Sequence, residues 1–396
     1  MQTRNCPGKM KKKNLSTYIK NMPDQHLHII SFNVPYPPNY GGVIDVFYKL
    51  RALHALGVKI HLHCFEYGRE IPAELAAYCE DLYFYKRKTN ALSTLTLKPY
   101  IVASRNSEEL IERLLQDNHP ILFEGLHSCY YINDKRLKNR MKIYRESNIE
   151  HLYYLNLFRS EKNLGPKFYF LMAGIKLRFY QSVLKHADLM LVVSQDDSDY
   201  LKSKFKKNKI VYLPSFHANE SIHLIPGKGD YVLYHGNLSV AENEYAATYL
   251  VKEVFNDIHI PFKIAGLHPD KRLQKLIEDY PHIELIDSPD DEKMLSLIQN
   301  AQINILLTFQ ATGLKLKLLN TLYNGRFCLL NHKMLAGTGL DALCEIADTS
   351  SSLKEKVSSL FDSEFDFAKV QQRQTVLDEN YSNNKNAQKI IALIFG

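Results

Sequence analysis

Tryptophan is absent from this chain of 396 residues, although 25 tyrosines are present, and no functional reading attaches to that bias. Cysteine is scarce and scattered: Cys6, Cys64, Cys79, Cys129, Cys328 and Cys344 form no CxxC pair. That spacing excludes a zinc ribbon and a disulfide framework, and suggests reduced, mostly buried thiols. No apolar stretch approaches the roughly 20 residues needed to span a bilayer. The opening stretch MQTRNCPGKMKKKNLSTYIKN is basic but lacks the apolar core of a signal peptide. Residues 1–26 therefore read as a loosely attached arm, and the chain as cytoplasmic. There is no Walker loop, no compact GxGxxG fingerprint, no internal repeat and no low-complexity tract.

What is present is ordinary globular material, 45% hydrophobic and 23% charged, with a net charge of +7. The charge is uneven. Residues 1–218 hold 33 Lys and Arg against 20 Asp and Glu, whereas residues 219–396 hold 17 against 23. Two units with different partners account for such a split. The basic half suits an anionic membrane surface, or carries a simple solvated basic face; nucleic acid is not the expected partner.

The pattern along the chain is α/β. HIISF is a strand, the Pro- and Gly-rich loop NVPYPPNYGG follows, Val43–Leu56 is helical, and VKIHLHCF alternates as a strand. Strand, loop, helix, strand is a βαβ unit with a parallel sheet. Further strands are expected at 83–85, 120–124, 141–144 and 189–193, with helices at 106–117, 166–187 and 198–206. Residues 214–229 (PSFHANESIHLIPGKG) break the pattern and read as a linker. Alternation resumes with YVLYHG, a helix over 241–256, FKIAG, a helix over 270–279, IELID, EKMLSLIQNA, INILLTF, a helix over 313–324 and FCLLN. The acidic, polar stretch 352–385 and a helix over 385–395 end the chain. The expectation is two Rossmann-like, doubly wound domains, 27–213 and 230–380, facing each other across a cleft, with residues 381–396 crossing back to the first. Ligands in such folds sit at the carboxyl ends of the strands.

Candidate site residues cluster at those strand ends. Gly41 and Gly42 open a helix, where missing side chains let an anion approach backbone N–H groups, or where the chain simply turns. His235 and Asn237 end the first strand of the second half. Ser239 or Asn243 can serve as the cap of the helix that follows. Glu124 and His127 end the strand ILFE, where a carboxylate or imidazole could act on an acceptor hydroxyl. Arg145, Asn148 and Glu150 cluster after the strand at 141–144. In ATGLKLKLLNTLYNGRFCLL, Thr312 and Gly313 lead into a helix carrying Lys315 and Lys317. Cations near a helix start oppose its dipole unless an anion sits there, which hints at a diphosphate; exposed helix lysines are the plainer alternative. Asp197 and Asp199 form a DxD, but one that opens a helix, so Asp196 and Asp197 read as cap and first-turn carboxylates rather than metal ligands. His26, His61, His63 and His186 follow no metal-binding spacing and read as structural or surface residues.

Taken in order, PYPPNYGG, FEGLH, YRESNIEHLYY, ADLMLVVSQDDSDYL, LYHGNLSVAENEYAATYLVKEVF, FKIAG, ATGLKLKLLNTLYNGRFCLL and GTGL resemble the retaining glycosyltransferase family 4, over roughly residues 27–390. The resemblance implies the GT-B fold, a nucleotide-sugar donor on the C-terminal domain, and a glycan or lipid-linked acceptor on the basic N-terminal domain. It also implies retention at the anomeric carbon without metal or other cofactor, and frequent attachment to the inner face of the membrane. Gly41 and Gly42 match the family's glycine loop, Lys317 a lysine of one branch, and Gly325 the glycine ending that helix. The family's two glutamates, spaced E-x7-E, fall on Thr312 and Asn320; Asn320 can still hydrogen-bond a ribose hydroxyl, without charge. The usual Arg and Lys after the first strand of the C-terminal domain are not apparent in NLSVAEN. The implied protein is an altered glycosyltransferase. A non-catalytic GT-B protein binding a glycan or partner is the alternative, and a nucleotide-sugar epimerase a third.

Overall fold

The computed structural model describes residues 24–89, 96–309 and 316–396. The first domain is a seven-stranded parallel sheet built from β1 (His26–Ser31), β2 (Lys59–Glu66), β3 (Asp81–Lys86), β4 (Ile121–Glu124), β5 (Lys142–Arg145), β6 (Leu189–Val192) and β7 (Lys209–Tyr212), in the order β3-β2-β1-β4-β5-β6-β7. The second is a six-stranded parallel sheet of β8 (Val232–His235), β9 (Phe262–Gly266), β10 (Ile283–Asp287), β11 (Ile303–Leu306), β12 (Phe327–Leu330) and β13 (Glu345–Ile346), ordered β10-β9-β8-β11-β12-β13. Every residue of β4, β6, β8, β11 and β12 is buried. Helices cover both faces, which is why these strands read as continuous apolar runs rather than alternating ones.

The helices include α1 (Gly41–Ala55), α2 (Glu150–Ser160), α3 (Leu164–Tyr180), α4 (Gln195–Lys204), α5 (Ala241–Tyr249), α6 (Leu316–Asn324) and α7 (Asn383–Phe395). Gly57 ends the turn after α1 at φ 87°, a left-handed conformation that a residue with Cβ resists.

In both sheets the chain runs outward from the first strand, then returns to its other side. Each domain therefore has a switch point, β1/β4 in the first and β8/β11 in the second, where a crevice opens at the strand carboxyl ends. The domains touch where Gln195 N–H, in the first turn of α4, donates to Gly337 O at 3.3 Å. The chain closes by returning to the first domain. On α7, Ala387 and Ile390 are fully buried in the apolar layer that holds Leu50 and Leu53 of α1. His217 ties this return down: its Nε2 lies 2.9 Å from Tyr381 O, and Asn383 Nδ2 donates to its carbonyl at 2.7 Å.

Several elements depart from the sequence reading. β1 starts at His26, inside the stretch read as an arm, and Lys59 pairs there with Asp24 at 2.8 Å. The edge strands β7 and β13 were not expected, because half-exposed edges of four and two residues carry little apolar signal. Helix α2 lies where the sequence reading named no element, and Glu150 of the polar cluster is in its first turn. The stretch 352–385 is mostly two helices, Ser350–Phe361 and Phe367–Asn380, started by Thr349 and Asp366 caps.

Candidate functional site

At the first switch point, β4 ends in Glu124 and β5 in Arg145. Both are buried, and both turn away from an acceptor role. Lys49 Nζ of α1 sits 2.9 Å from Asp45 Oδ2 and 2.9 Å from Glu124 Oε1. Arg145 grips Asp45 with Nε to Oδ2 at 3.0 Å and Nη2 to Oδ1 at 2.8 Å, and donates to the carbonyls of Leu213 and Pro214. Phe216 N–H reaches Asp45 Oδ1 at 2.8 Å. Two cations and two carboxylates thus form a buried quartet pinning α1 to two strand ends and to the chain leaving the domain. Burial pushes the Asp45 carboxyl up, but Arg145 and Lys49 together pull it further down. The Glu124 carboxyl is raised by burial, which outweighs the pull of Lys49. The reading of Glu124 as a catalytic acid or base, and of Arg145 as an acceptor-loop residue, is corrected accordingly: both are buried, Glu124 in an ion pair with Lys49 and Arg145 with Asp45.

His127, Glu150 and Arg105 line the same strand ends. His127 Nδ1 lies 3.7 Å from Glu150 Oε1, too far for a hydrogen bond and close enough for one to form with small movement. Burial holds the His127 imidazole well below its usual range, with Arg105 and Arg87 adding to the effect, so the ring is neutral. Glu150, in the first turn of α2, is pushed up to about 8 by burial against the pull of Arg105. Near neutral pH this carboxyl is therefore largely protonated, a state able to donate. Gly125 at φ 67° lets the chain turn beneath the ring, where a Cβ would come 3.3 Å from His127 Nδ1.

Gly41 and Gly42 open α1, whose cap residue Tyr40 makes no side-chain hydrogen bond to the helix. The close approach that Gly42 permits is made by Phe32, whose Cζ would lie 2.7 Å from a Cβ placed there, and whose ring packs tilted on His127. Sequence reasoning had offered that space to an anion or to a simple turn. Asn148 lies half-buried in the loop between β5 and α2.

At the second switch point the residues converge more tightly. Lys317, from the first turn of α6, brings Nζ beside Gly236, where a Cβ would be only 2.7 Å away. The ammonium donates to Asn243 Oδ1 at 3.2 Å and lies 5.4 Å from the centre of the Tyr234 ring. Among the described residues no carboxylate comes within ion-pair distance of it. Burial lowers Lys317 to about 8, against the distant pull of Glu242. Asn237 makes a turn here: its Oδ1 accepts from Ser239 N at 3.0 Å and its carbonyl accepts from Asn243 Nδ2 at 2.8 Å. Neither Ser239 nor Asn243 caps α5. Glu242 in the first turn of α5 accepts from Phe309 N at 3.0 Å, fixing the exit of β11.

Two expectations change on this side. His235 is buried, with Nε2 3.2 Å from Thr321 Oγ1 of α6, and burial with the nearby Lys317 lowers it to about 3. It is a neutral post that positions α6, not a group in the cleft. Asn320 Oδ1 accepts from Asn324 Nδ2 at 3.0 Å, and that same amide reaches Asn219 Oδ1 at 2.9 Å. Asn320 therefore belongs to a carboxamide chain facing the linker. Thr312, Gly313 and Lys315 lie outside the described residues. Of the DxD, Ser194 is the cap of α4, accepting from Asp197 N at 3.1 Å; Asp196 and Asp197 occupy the first turn, and Asp199 accepts from Gln195.

Sequence reasoning missed Asp45, Lys49 and Arg105. An Asp and Lys four apart on a helix look like a surface pair, and Arg105 follows a segment without a period. Gly236 was legible as the glycine after His235, but not its closeness to a lysine 81 positions away.

No protein-family model matches the chain. An "Uncharacterized 44.6 kDa protein in cps region" of Klebsiella pneumoniae is 26% identical over 334 residues, 78% of this chain and 84% of that protein. Solved structures place the architecture. A glycosyltransferase from Rickettsia africae superposes with a TM-score of 0.65 at 14% identity, over 94% of this chain and 98% of its own. The fold is GT-B. The lipopolysaccharide outer core galactosyltransferase WaaB gives 0.61 at 12% identity, over 93% and 99%. An E. coli trehalose-6-phosphate structure bound with UDP-2-fluoro glucose gives 0.59 at 10% identity, over 93% and 99%.

Proposed function

We propose that this GT-B protein is a glycosyltransferase that takes a nucleoside diphosphate sugar as donor and passes the sugar to a glycan or lipid-linked acceptor. The observation that carries the reading is Lys317: a desolvated ammonium at the β8/β11 switch point, held over Gly236 by a neutral carboxamide. An ammonium removed from water without a carboxylate partner costs free energy unless an anion completes it. A diphosphate does so, and the same charge steadies the diphosphate as it leaves the sugar. The GT-B neighbour bound with UDP-2-fluoro glucose supports a donor of this class, and the Klebsiella relative from a cps region supports polysaccharide synthesis as its setting.

On the acceptor side we place His127 and Glu150, a neutral imidazole beside a carboxyl that stays protonated near neutral pH, as the groups that orient the acceptor and the sugar. The reaction proceeds with retention and needs no metal, in keeping with the family resemblance.

A membrane-bound acceptor is supported by α3. Leu164, Phe168, Met172, Ile175 and Phe179 recur along one helical stripe and are exposed, Leu164 by 84% and Phe179 by 75%. Lys162, Lys167 and Lys176 lie on or next to this helix. An apolar stripe among cations suits the interface of an anionic bilayer. Among the described residues no helix is long and apolar enough to cross a membrane.

Isothermal titration with UDP, GDP and ADP and their sugars tests the donor claim, followed by product analysis with cell-envelope glycans and lipid-linked saccharides. Saturable binding of a nucleoside diphosphate that weakens in Lys317→Ala is expected. Silence across the panel favours the non-catalytic alternative. NMR of the product's anomeric proton decides retention.

A further inference from the structure

The opposite end of the first sheet holds a second group of polar side chains with no part in the cleft. His26 begins β1, His61 lies near the start of β2, and His119 stands two residues before β4. Their rings stack, with centroids 4.4 Å apart for His26 and His119, 5.1 Å for His26 and His61, and 5.8 Å for His61 and His119. One nitrogen from each lies within 4.8 Å of the other two. Glu124 sits at the other end of β4, on the order of 15 Å from His119 at about 3.3 Å per residue.

His61 is oriented for ligation. Its Nδ1 lies 2.7 Å from Asp81 Oδ2 and its side chain is 11% exposed. With Nδ1–H donating to that carboxylate, Nε2 keeps its lone pair, and it faces His26 Nδ1 at 2.9 Å. A carboxylate behind a histidine is the usual support of a metal ligand, because it fixes tautomer and ring and raises basicity. The neighbouring pair differs. His28 is engaged on both nitrogens, by His63 at 2.8 Å and Asp117 at 2.8 Å, and His63 Nδ1 is taken by Tyr85. His119 forms no ring hydrogen bond among the described residues and is half-buried at the edge, which leaves a path for entry.

We propose that His26, His61 and His119, supported by Asp81, form a binding site for a divalent transition ion of the zinc type. Three neutral imidazoles suit such an ion, and leave a fourth position to water. Tetrahedral Zn–N bonds of 2.0–2.1 Å set the ligand nitrogens about 3.3 Å apart, so the His26–His61 hydrogen bond opens slightly as the ion enters. His26 moves its proton from Nδ1 to Nε2 as Nδ1 takes the ion. The His26 and His119 rings re-aim by rotation about χ2, a broad torsion. The ion cross-links the entries of three strands distant in sequence. It is structural, and separate from sugar transfer.

The test is titration of Zn2+ into the full chain, after treatment with a chelator and dialysis. One ion per chain is expected. His119→Ala should lower its affinity at least tenfold, and Asp81→Asn by about 10- to 100-fold, the range for the loss of an outer-shell partner. His282→Ala, on the second domain, should leave it unchanged. Circular dichroism checks that each variant is folded, and His119→Gln replaces the alanine variant if that one is not. Co2+ bound at this site should show visible d–d bands without thiolate charge transfer. An absent one-to-one isotherm overturns the site. So does binding indifferent to folded His119 variants, or a thiolate band marking a cysteine as ligand. Donor binding, measured on the same His119 variant, stays at the wild-type value, so a failure of this site is distinguishable from a failure of the transferase reading.

Discussion

Lys317 shows how much one residue decides. Its ammonium is lowered to about 8 by burial, so diphosphate affinity should fall as pH rises through that region, while Lys317→Ala shows a flat profile. The truncation should weaken diphosphate binding by about 1.5–3 kcal/mol, the worth of a hydrogen bond to a charged group, with calorimetry as the measure. Gly236→Ala should act through the same atom: its Cβ would fall 2.7 Å from Nζ, displacing a flexible tip while sparing the fold. Reduced donor affinity with an unchanged melting temperature is the expected pair of results. On the other domain, Glu150 has a folded pKa of about 8, raised from 4.5. Between those values the folded state binds more protons than the unfolded one, so stability is full below about pH 4.5 and is lost as pH rises through 8. Glu150→Gln should remove that slope, on the order of 4 kcal/mol, in urea melts taken from pH 5 to 8.

Among elements, α1 is held by charge and α7 by shape. The buried quartet of Asp45, Lys49, Glu124 and Arg145 balances two positive against two negative groups, and Asp45 is its hub. Asp45→Ala leaves an uncompensated cation and strips Phe216 N–H of its acceptor; a loss of about 3–5 kcal/mol is expected in urea denaturation. Conversely, α7 contributes apolar burial, linker hydrogen bonds at its start, and a bond from Lys389 Nζ to Tyr212 O of β7 at 3.0 Å. Ile390 is fully buried, and Ile390→Ala should cost about 2–5 kcal/mol by destabilising the first domain, although it stands six residues from the chain's end.

For the molecule as a whole, the prediction concerns where it works. The α3 stripe and its lysines should bring the protein to vesicles containing anionic lipid and leave it free of neutral ones. Phe168→Ser combined with Phe179→Ser should abolish sedimentation with the anionic vesicles while leaving donor affinity intact. Salt should weaken the attachment, since the lysines are surface charges screened within about 8–10 Å at physiological ionic strength. Transfer itself should persist after chelation.

The alternation of apolar runs with helical segments, and the glycines and polar residues at strand ends, were enough to read two parallel-sheet domains and their order along the chain. Such patterns are local: a strand buried on both faces and a helix entered through glycine each declare themselves within about ten residues. Edge strands β7 and β13 were lost because exposure dilutes the apolar signal. The roles of individual polar residues were not local at all. Glu124, Arg145 and His235 stand at the strand ends where ligands bind, yet the first two are consumed by partners from α1 and the third by Thr321. Lys317 gains its meaning from Gly236, and His61 from Asp81, His26 and His119. Sequence fixes which residues end a strand; only tertiary packing decides which of their atoms are already paired, because charge and hydrogen-bonding capacity are satisfied across space and not along the chain.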